Sequence, residues 1–215
     1  MRIKIWGARG SIPSSIKPAE VEEKICQAIL GLPAGLKTRD EQAVRAYVRN
    51  LPPLMRGTAG GNTPCVEIQA AGELIAVDAG SGLHEMGMSL LKGPFGHGRG
   101  VLHLFISHPH WDHIQGFPMF MPAFVGGNRI FVYGVHDLRQ AFEDQQRPFN
   151  WPAPLSAMRA QIEFIQLQPG EPIAIGKVRV NTLRNHHSGH SYSYRFDDPY
   201  SAVVYASDAE YKELN

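Results

Sequence analysis

Cysteine is scarce: the 215 residues hold only Cys26 and Cys65, too few for a disulfide framework. Both lie in apolar-patterned segments and are expected to be buried thiols in a reducing compartment. Long apolar runs are also missing, since none approaches the roughly 20 residues a membrane span needs. The opening Met1-Arg2-Ile3-Lys4-Ile5-Trp6 alternates like a strand and has no apolar signal core. The expected address is therefore the cytoplasm, with no membrane partner. Nor is there an excess of one charge: 21 Lys and Arg stand against 20 Asp and Glu, a formal net +1. That balance gives no strong nucleic-acid signal. Repeats and low-complexity segments are absent as well. What remains, 43% hydrophobic and 19% charged, suits a single globular domain over residues 1–215 with a substantial core. One residue type stands out, with ten histidines.

Hydrophobic spacing orders the chain. Residues 2–6 form a strand running into the turn Gly7-Ala8-Arg9-Gly10-Ser11. Val21, Ile25, Ala28 and Ile29 then recur at helical spacing over 18–30. Thr38 and Glu41 form a capping-box pattern for a second helix that Pro52 and Pro53 end. Residues 14–57 thus read as a helical hairpin inserted between strands. It is a lid or a dimer contact, or else a decoration packed elsewhere. Further strands are expected at Cys65–Gln69, Leu74–Val77, Val101–Ile106, Ile130–Tyr133, Ile162–Leu167, Val178–Leu183, Tyr192–Phe196 and Ala202–Ala206. Helices are expected near 83–91, 137–146 and 155–160. Strands mixed with helices imply a layered α/β or α+β architecture.

The chemistry concentrates in His108-Pro109-His110-Trp111-Asp112-His113. The apolar strand ending at Ser107 delivers three imidazoles and a carboxylate into a loop. His108 and His110 point to one side if that backbone is extended, and Asp112 and His113 reach a second point after a turn. Imidazole with carboxylate suits zinc, manganese or iron, whereas magnesium and calcium want mostly oxygen. No thiolate lies nearby in sequence, so the pattern points to an open, catalytic site. His84, His97, His103 and His136 have no partner at ligand spacing and read as surface or packing residues. His186, His187 and His190 each offer a further imidazole.

The run His108, His110, Asp112, His113 resembles the signature of the metallo-β-lactamase fold superfamily. Asp78 in Val77-Asp78-Ala79-Gly80-Ser81-Gly82 resembles that family's strand-ending aspartate, which supports the metal loop. Ser188 to Phe196 resembles a segment of the phosphodiesterase branch that includes ribonuclease Z, where a histidine ligand lies seven residues before a tyrosine. Counted back from Tyr194, that histidine is His187, with Ser193 standing where glycine is usual. Tyr205-Ala206-Ser207-Asp208 resembles the strand whose aspartate bridges two metals. Gly7 to Pro13 and Gly60-Gly61-Asn62-Thr63 are similar to the same branch.

The resemblance implies an αββα four-layer sandwich and two divalent cations, zinc first, with manganese or iron as alternatives. Expected ligands are His108, His110 and His187 at one ion and Asp112 and His113 at the other, with Asp208 bridging and Asp78 supporting from behind. A bridging water would serve as hydroxide, and Asp112 would also handle its proton. A further histidine ligand is implied downstream of Asp208, and none follows to Asn215. We read the chain as C-terminally incomplete, a fragment that also lacks an outer helix; a neighbouring chain's ligand or a weakly held second ion are the alternatives. The substrate is expected to be a phosphodiester, small or nucleotide-like, with Asn62, Arg9, His190 or Arg195 touching it. Asn62 as a turn residue, His190 as a solvated loop residue and the arginines as ion-paired surface groups are the competing readings. Thioester or lactone hydrolysis, or non-catalytic metal sensing, are the alternative functions, and a homodimer is the remaining partner.

Overall fold

The computed structural model describes residues 1–58 and 61–210. Gly60 of the Gly60-Gly61-Asn62-Thr63 motif lies outside the described residues. The chain resolves into two compact units, Ser14–Gly61 and a larger one of Met1–Pro13 with Asn62–Asn215.

The small unit holds α1 (Pro18–Leu30), α2 (Glu41–Asn50) and the single turn α3 (Pro53–Arg56). Helix α1 starts on a proline, whose missing N–H costs nothing there, and the Glu20 carboxylate accepts the Lys17 N–H at 2.8 Å. The Thr38–Glu41 box does not form. Asp40, one residue before α2, caps it instead, accepting the N–H groups of Gln42 at 2.9 Å and Ala43 at 3.3 Å. The Tyr47 hydroxyl donates to the Ala28 carbonyl at 2.5 Å, tying the two helices. None of the three helices contains a buried residue. Cys26 is accordingly exposed, against the expectation of a buried thiol, and only Cys65 is buried.

The larger unit is built on two sheets. The first runs β1 (Arg2–Gly7), β2 (Cys65–Ala70), β3 (Glu73–Val77), β4 (Val101–Phe105), β5 (Arg129–Gly134) and β6 (Gln161–Gln166) in that spatial order. The second runs β10 (Ala202–Tyr205), β9 (Tyr192–Asp197), β8 (Val178–Arg184) and β7 (Ile173–Ile175). Strands β1 to β3 are antiparallel, and β2 turns into β3 through Ala71 and Gly72, both at positive φ as a two-residue hairpin requires. Strands β3 to β6 are parallel.

Parallel central strands are covered on both faces, which is why β3, β4 and β5 read as nearly unbroken apolar runs. Ala76, Leu104 and Val132 face a core shared with α4 (Gly82–Leu90) and α5 (Leu138–Gln145). Ile75, Val77, Phe105 and Tyr133 face the second sheet, meeting Val180, Tyr194 and Phe196. Phe105 is central there, stacked on Tyr133 at 4.6 Å and edge-on to Phe196 at 5.1 Å. Outward-facing Leu183 and Val204 of the second sheet remain 71% and 56% exposed, so within this unit the described residues supply helices, sheet and sheet but no outer helix over β8–β10. Over 155–160 only the single 3-10 turn Leu155–Ala157 forms. Among the described residues no helix is long and apolar enough to cross a membrane.

His103 on β4 is 8% exposed, stacks on Phe131 and lies 2.9 Å from the Tyr133 hydroxyl. Burial lowers its pKa, Glu73 opposes the shift and Arg129 adds to it. A histidine whose folded pKa is depressed contributes stability above its unfolded pKa, and that stability is lost as pH falls through the folded value. His103→Gln is thus expected to lose less melting temperature than the parent between about pH 7.5 and about pH 5.5, a window set by the unfolded histidine pKa. Phe105→Ala should cost about 3–5 kcal/mol in urea denaturation. Phe149→Ala, at a fully exposed side chain, should stay within about 0.5 kcal/mol of the parent.

Candidate metal centre

The parallel strands β3 and β4 end side by side, and their C-terminal ends carry Asp78 and Ser107. Asp78 is fully buried and adopts a positive φ of 62°, which turns its carboxylate back under the loop that follows β4. Four donors converge on it. Oδ1 accepts the Ser107 N–H at 2.7 Å, and Oδ2 accepts the Ser107 hydroxyl at 2.9 Å, His113 Nδ1 at 2.7 Å and the Tyr205 hydroxyl at 2.7 Å. Burial, then the Asp78 charge, pushes the Tyr205 hydroxyl well above its ordinary pKa, so it stays a donor.

These bonds set the tautomers of the ligands. With Nδ1–H given to Asp78, His113 keeps its lone pair on Nε2. The Ser107 hydroxyl gives its proton to Asp78, so it accepts from His108 Nδ1 at 3.0 Å, and His108 likewise keeps a lone pair on Nε2. Both Nε2 atoms are buried without a hydrogen-bond partner. An orphaned buried acceptor is costly unless something fills its place. Two of them side by side, with carboxylates adjacent, are the donor set of a cation site.

The other candidate ligands complete two groups. His108, His110 and His187 bring one ligand atom each within 4.8 Å of one another, and so do His108, His113 and Asp208. His187 Nε2 faces His110 Nδ1 at 3.4 Å. Asp208 spans both groups, with Oδ1 at 3.6 Å from His113 Nε2 and Oδ2 at 3.8 Å from His187 Nε2. Asp112 Oδ2 lies 3.6 Å from His113 Nε2 and is steadied by the Ser11 N–H at 2.8 Å. Ser11 itself sits at a φ of 64°, a conformation that aims this N–H at the carboxylate.

Burial, then the neighbouring His113, pushes the His108 pKa down to about 3. It is neutral at physiological pH, the form a cation ligand needs. Burial lowers the His113 pKa as well, yet the bond to Asp78 and the charges of Asp78, Asp112 and Asp208 outweigh it and the net shift is upward. The same carboxylates lend negative charge to the neighbourhood of its Nε2, which suits a cation there. Close packing holds the loops in place. A Cβ on Gly80 would fall 2.4 Å from the Asp112 carbonyl, and one on Gly189 would lie 3.0 Å from His110 Nε2.

The structure selects His187 from its neighbours. His186 is exposed and uses its carbonyl to accept the Glu210 N–H, and His190 is held in solvent by the Arg184 guanidinium at 2.6 Å. Arg195 is not brought to the cluster. It alternates with the inward-facing Tyr194, so it projects from the outer face of β9 and pairs with Asp197 at 2.7 Å. Asn62 is spent on the fold, its Oδ1 accepting from the Ser81 hydroxyl and its carbonyl from the N–H groups of Ala8 and Arg9. Sequence reading missed Ser11, Ser107, Tyr205 and Glu210, whose carboxylate lies 3.5 Å from His187 Nδ1. His136 has the packing role expected of it, its Nε2 meeting the Gly189 carbonyl at 2.9 Å. Tyr205 was recoverable, because period-2 alternation in β10 puts it on the inner face with Val203.

Two facing sheets with a histidine and carboxylate cluster at one edge define a metal-binding α/β sandwich. The chain belongs to the β-lactamase superfamily: the family model described as "Beta-lactamase superfamily domain" matches residues 74–213. Among solved structures, the metallo-β-lactamase fold protein YhfI from Bacillus subtilis is similar at 19% identity and a TM-score of 0.58, over 98% of this chain and 63% of that one. A diphosphatase of the PhnP family matches at 18% identity and 0.51, over 90% and 61%. The short form of human tRNase Z matches at 15% and 0.52, over 97% and 69%. This chain therefore spans less than two thirds of the length of the first two. No curated protein matches. The fold implies divalent metal ions, and the paired orphan imidazoles fit that demand.

Removing the Asp78 charge should loosen the ligands without touching them directly. Asp78→Asn is expected to weaken zinc binding ~10–100-fold in competition with a chromophoric chelator. Tyr205→Phe leaves the His113 bond intact and should weaken it less.

Proposed function

We propose that this chain is a metal-dependent hydrolase of phosphodiester bonds that uses two divalent cations, zinc foremost. The observation that carries the reading is Asp208, whose two carboxylate oxygens reach toward His113 on one side and His187 on the other. A carboxylate so placed suits a shared ligand between two ion positions. His108, His110 and His187 would hold one cation, and Asp112 and His113 the other. Such ions act as Lewis acids toward phosphoryl oxygens and make water nucleophilic near neutral pH.

The side chains divide the remaining work. Asp78 and Ser107 fix the lone pairs of His108 and His113, so the ligands need no reorganisation when charge develops. Asp112, oriented by the Ser11 N–H, is the carboxylate placed to take the proton of the attacking water. A diphosphatase and a tRNase Z are among the similar folds, which supports phosphorus over carbonyl carbon as the centre attacked. The substrate in this reading is a small or nucleotide-like molecule. The same ligands would also serve thioester or lactone hydrolysis, which makes those the competing activities.

The zinc-loaded chain is expected to turn over an aryl phosphodiester faster than an aryl thioester or a lactone, measured side by side. Asp112→Ala should lower kcat on the phosphodiester by roughly 10²–10⁴-fold, the range for a lost acid–base group. Preference for either carbonyl substrate would sink the phosphodiester assignment. Zinc uptake with no turnover of any of the three would point to a sensing role.

A further inference from the structure

The His187 and Asp208 segments are fastened together by a set of polar side chains that touch no ligand atom. Residues 185–191 form the loop between β8 and β9, closed by the Asn185 N–H donating to the Ser191 carbonyl at 2.9 Å. The β9–β10 ladder pairs Tyr194 with Tyr205, and continued in register it would set Ser191 opposite Asp208. The side chains carry on where the ladder stops. The fully buried Ser191 hydroxyl donates to the Asp208 carbonyl at 2.7 Å. Asn185 Nδ2 donates to the same carbonyl at 3.3 Å and to Ser191 Oγ at 2.9 Å. Behind them, the Ser193 hydroxyl, 8% exposed, donates to Asn185 Oδ1 at 2.8 Å.

The Asp208 carbonyl, which can only accept, fixes which way the Asn185 amide faces, and the Ser193 hydroxyl anchors the acceptor end that this leaves. A side-chain amide has an acceptor end and a donor end of nearly the same shape, and only its partners choose between the two orientations. Here the donor end faces Ser191 and the Asp208 carbonyl, and Ser193 occupies the acceptor end. Without that hydroxyl Asn185 Oδ1 loses its partner, and the amide is free to swing away from the Asp208 carbonyl.

We propose that Ser193, acting through Asn185, is a positioning residue that holds the Asp208 carboxylate at the cation site and couples it to the His187 loop. The proposal rests on the metal-dependent reading above. Its consequence is that cation affinity depends on a hydroxyl two bonded partners away from any ligand. Ser193→Ala should leave the metal-free melting temperature nearly unchanged, because the site is at the margin of the second sheet and the lost group is one hydroxyl. The same variant should weaken zinc binding by about 10-fold in chelator competition, the lower end for groups that orient ligands. Ser193→Thr, which keeps the hydroxyl, should restore most of that loss. Asn185→Ala should match Ser193→Ala, and the double variant should be no worse than either single one, since both break one chain of contacts.

Equal zinc affinity in Ser193→Ala and the parent overturns the proposal while leaving the metal site standing. So does a loss that tracks a fall in metal-free melting temperature, which would mark a merely structural role. Failure of the parent itself to take up zinc overturns both this proposal and the functional reading.

Discussion

The buried carboxylate of Asp78 is the constraint on which the site depends. A fully desolvated charge is tolerated only when its lone pairs are satisfied, and here four donors from three parts of the chain satisfy them. The requirement runs both ways. Asp78 needs Ser107, His113 and Tyr205, and each of those is oriented by it. Strand β4, the His108–His113 loop and strand β10 are thus fixed relative to one another by one group that touches no cation itself. The imidazole lone pairs of His108 and His113 then point where the fold leaves them unpartnered.

Much of this was legible in the sequence because it lies in short-range patterns. A nearly unbroken apolar run into Ser107 marks a strand, and three histidines with an aspartate directly after it mark the loop. His187 and Asp208 came instead from the family resemblance, the one counted back from Tyr194 and the other matched at the end of an apolar strand. The strand positions held to within a residue or two, since both sheets bury continuous or alternating apolar faces. Strand β7 was missed because three residues before Gly176 carry too little pattern. The helix expected over 155–160 shrank to one turn beside Pro154, and the Thr38 cap yielded to Asp40, which stands closer to the first free N–H groups.

What the sequence did not reveal is long-range and polar. Ser11 meets Asp112 across 101 residues, and Tyr205 meets Asp78 across 127. No periodicity encodes such bonds. Arg195 takes the ion-paired surface place that was weighed against substrate contact, as its alternation with the interior Tyr194 requires. The exposed Cys26 shows a related limit. An apolar stripe on a helix states that the helix has a sticky face, and not that anything within its own unit covers it.

The cluster's ligands come from both sheets: His108 to His113 follow a strand of the first, whereas His187 and Asp208 flank strands of the second. An ion gripped by all of them would rivet the two layers along their shared edge. Since such a rivet forms only in the folded molecule, mass action makes the free energy of unfolding grow with the logarithm of free metal concentration. The sandwich would then be sturdiest where metal is plentiful, and metal supply would govern the lifetime of the molecule as well as its chemistry.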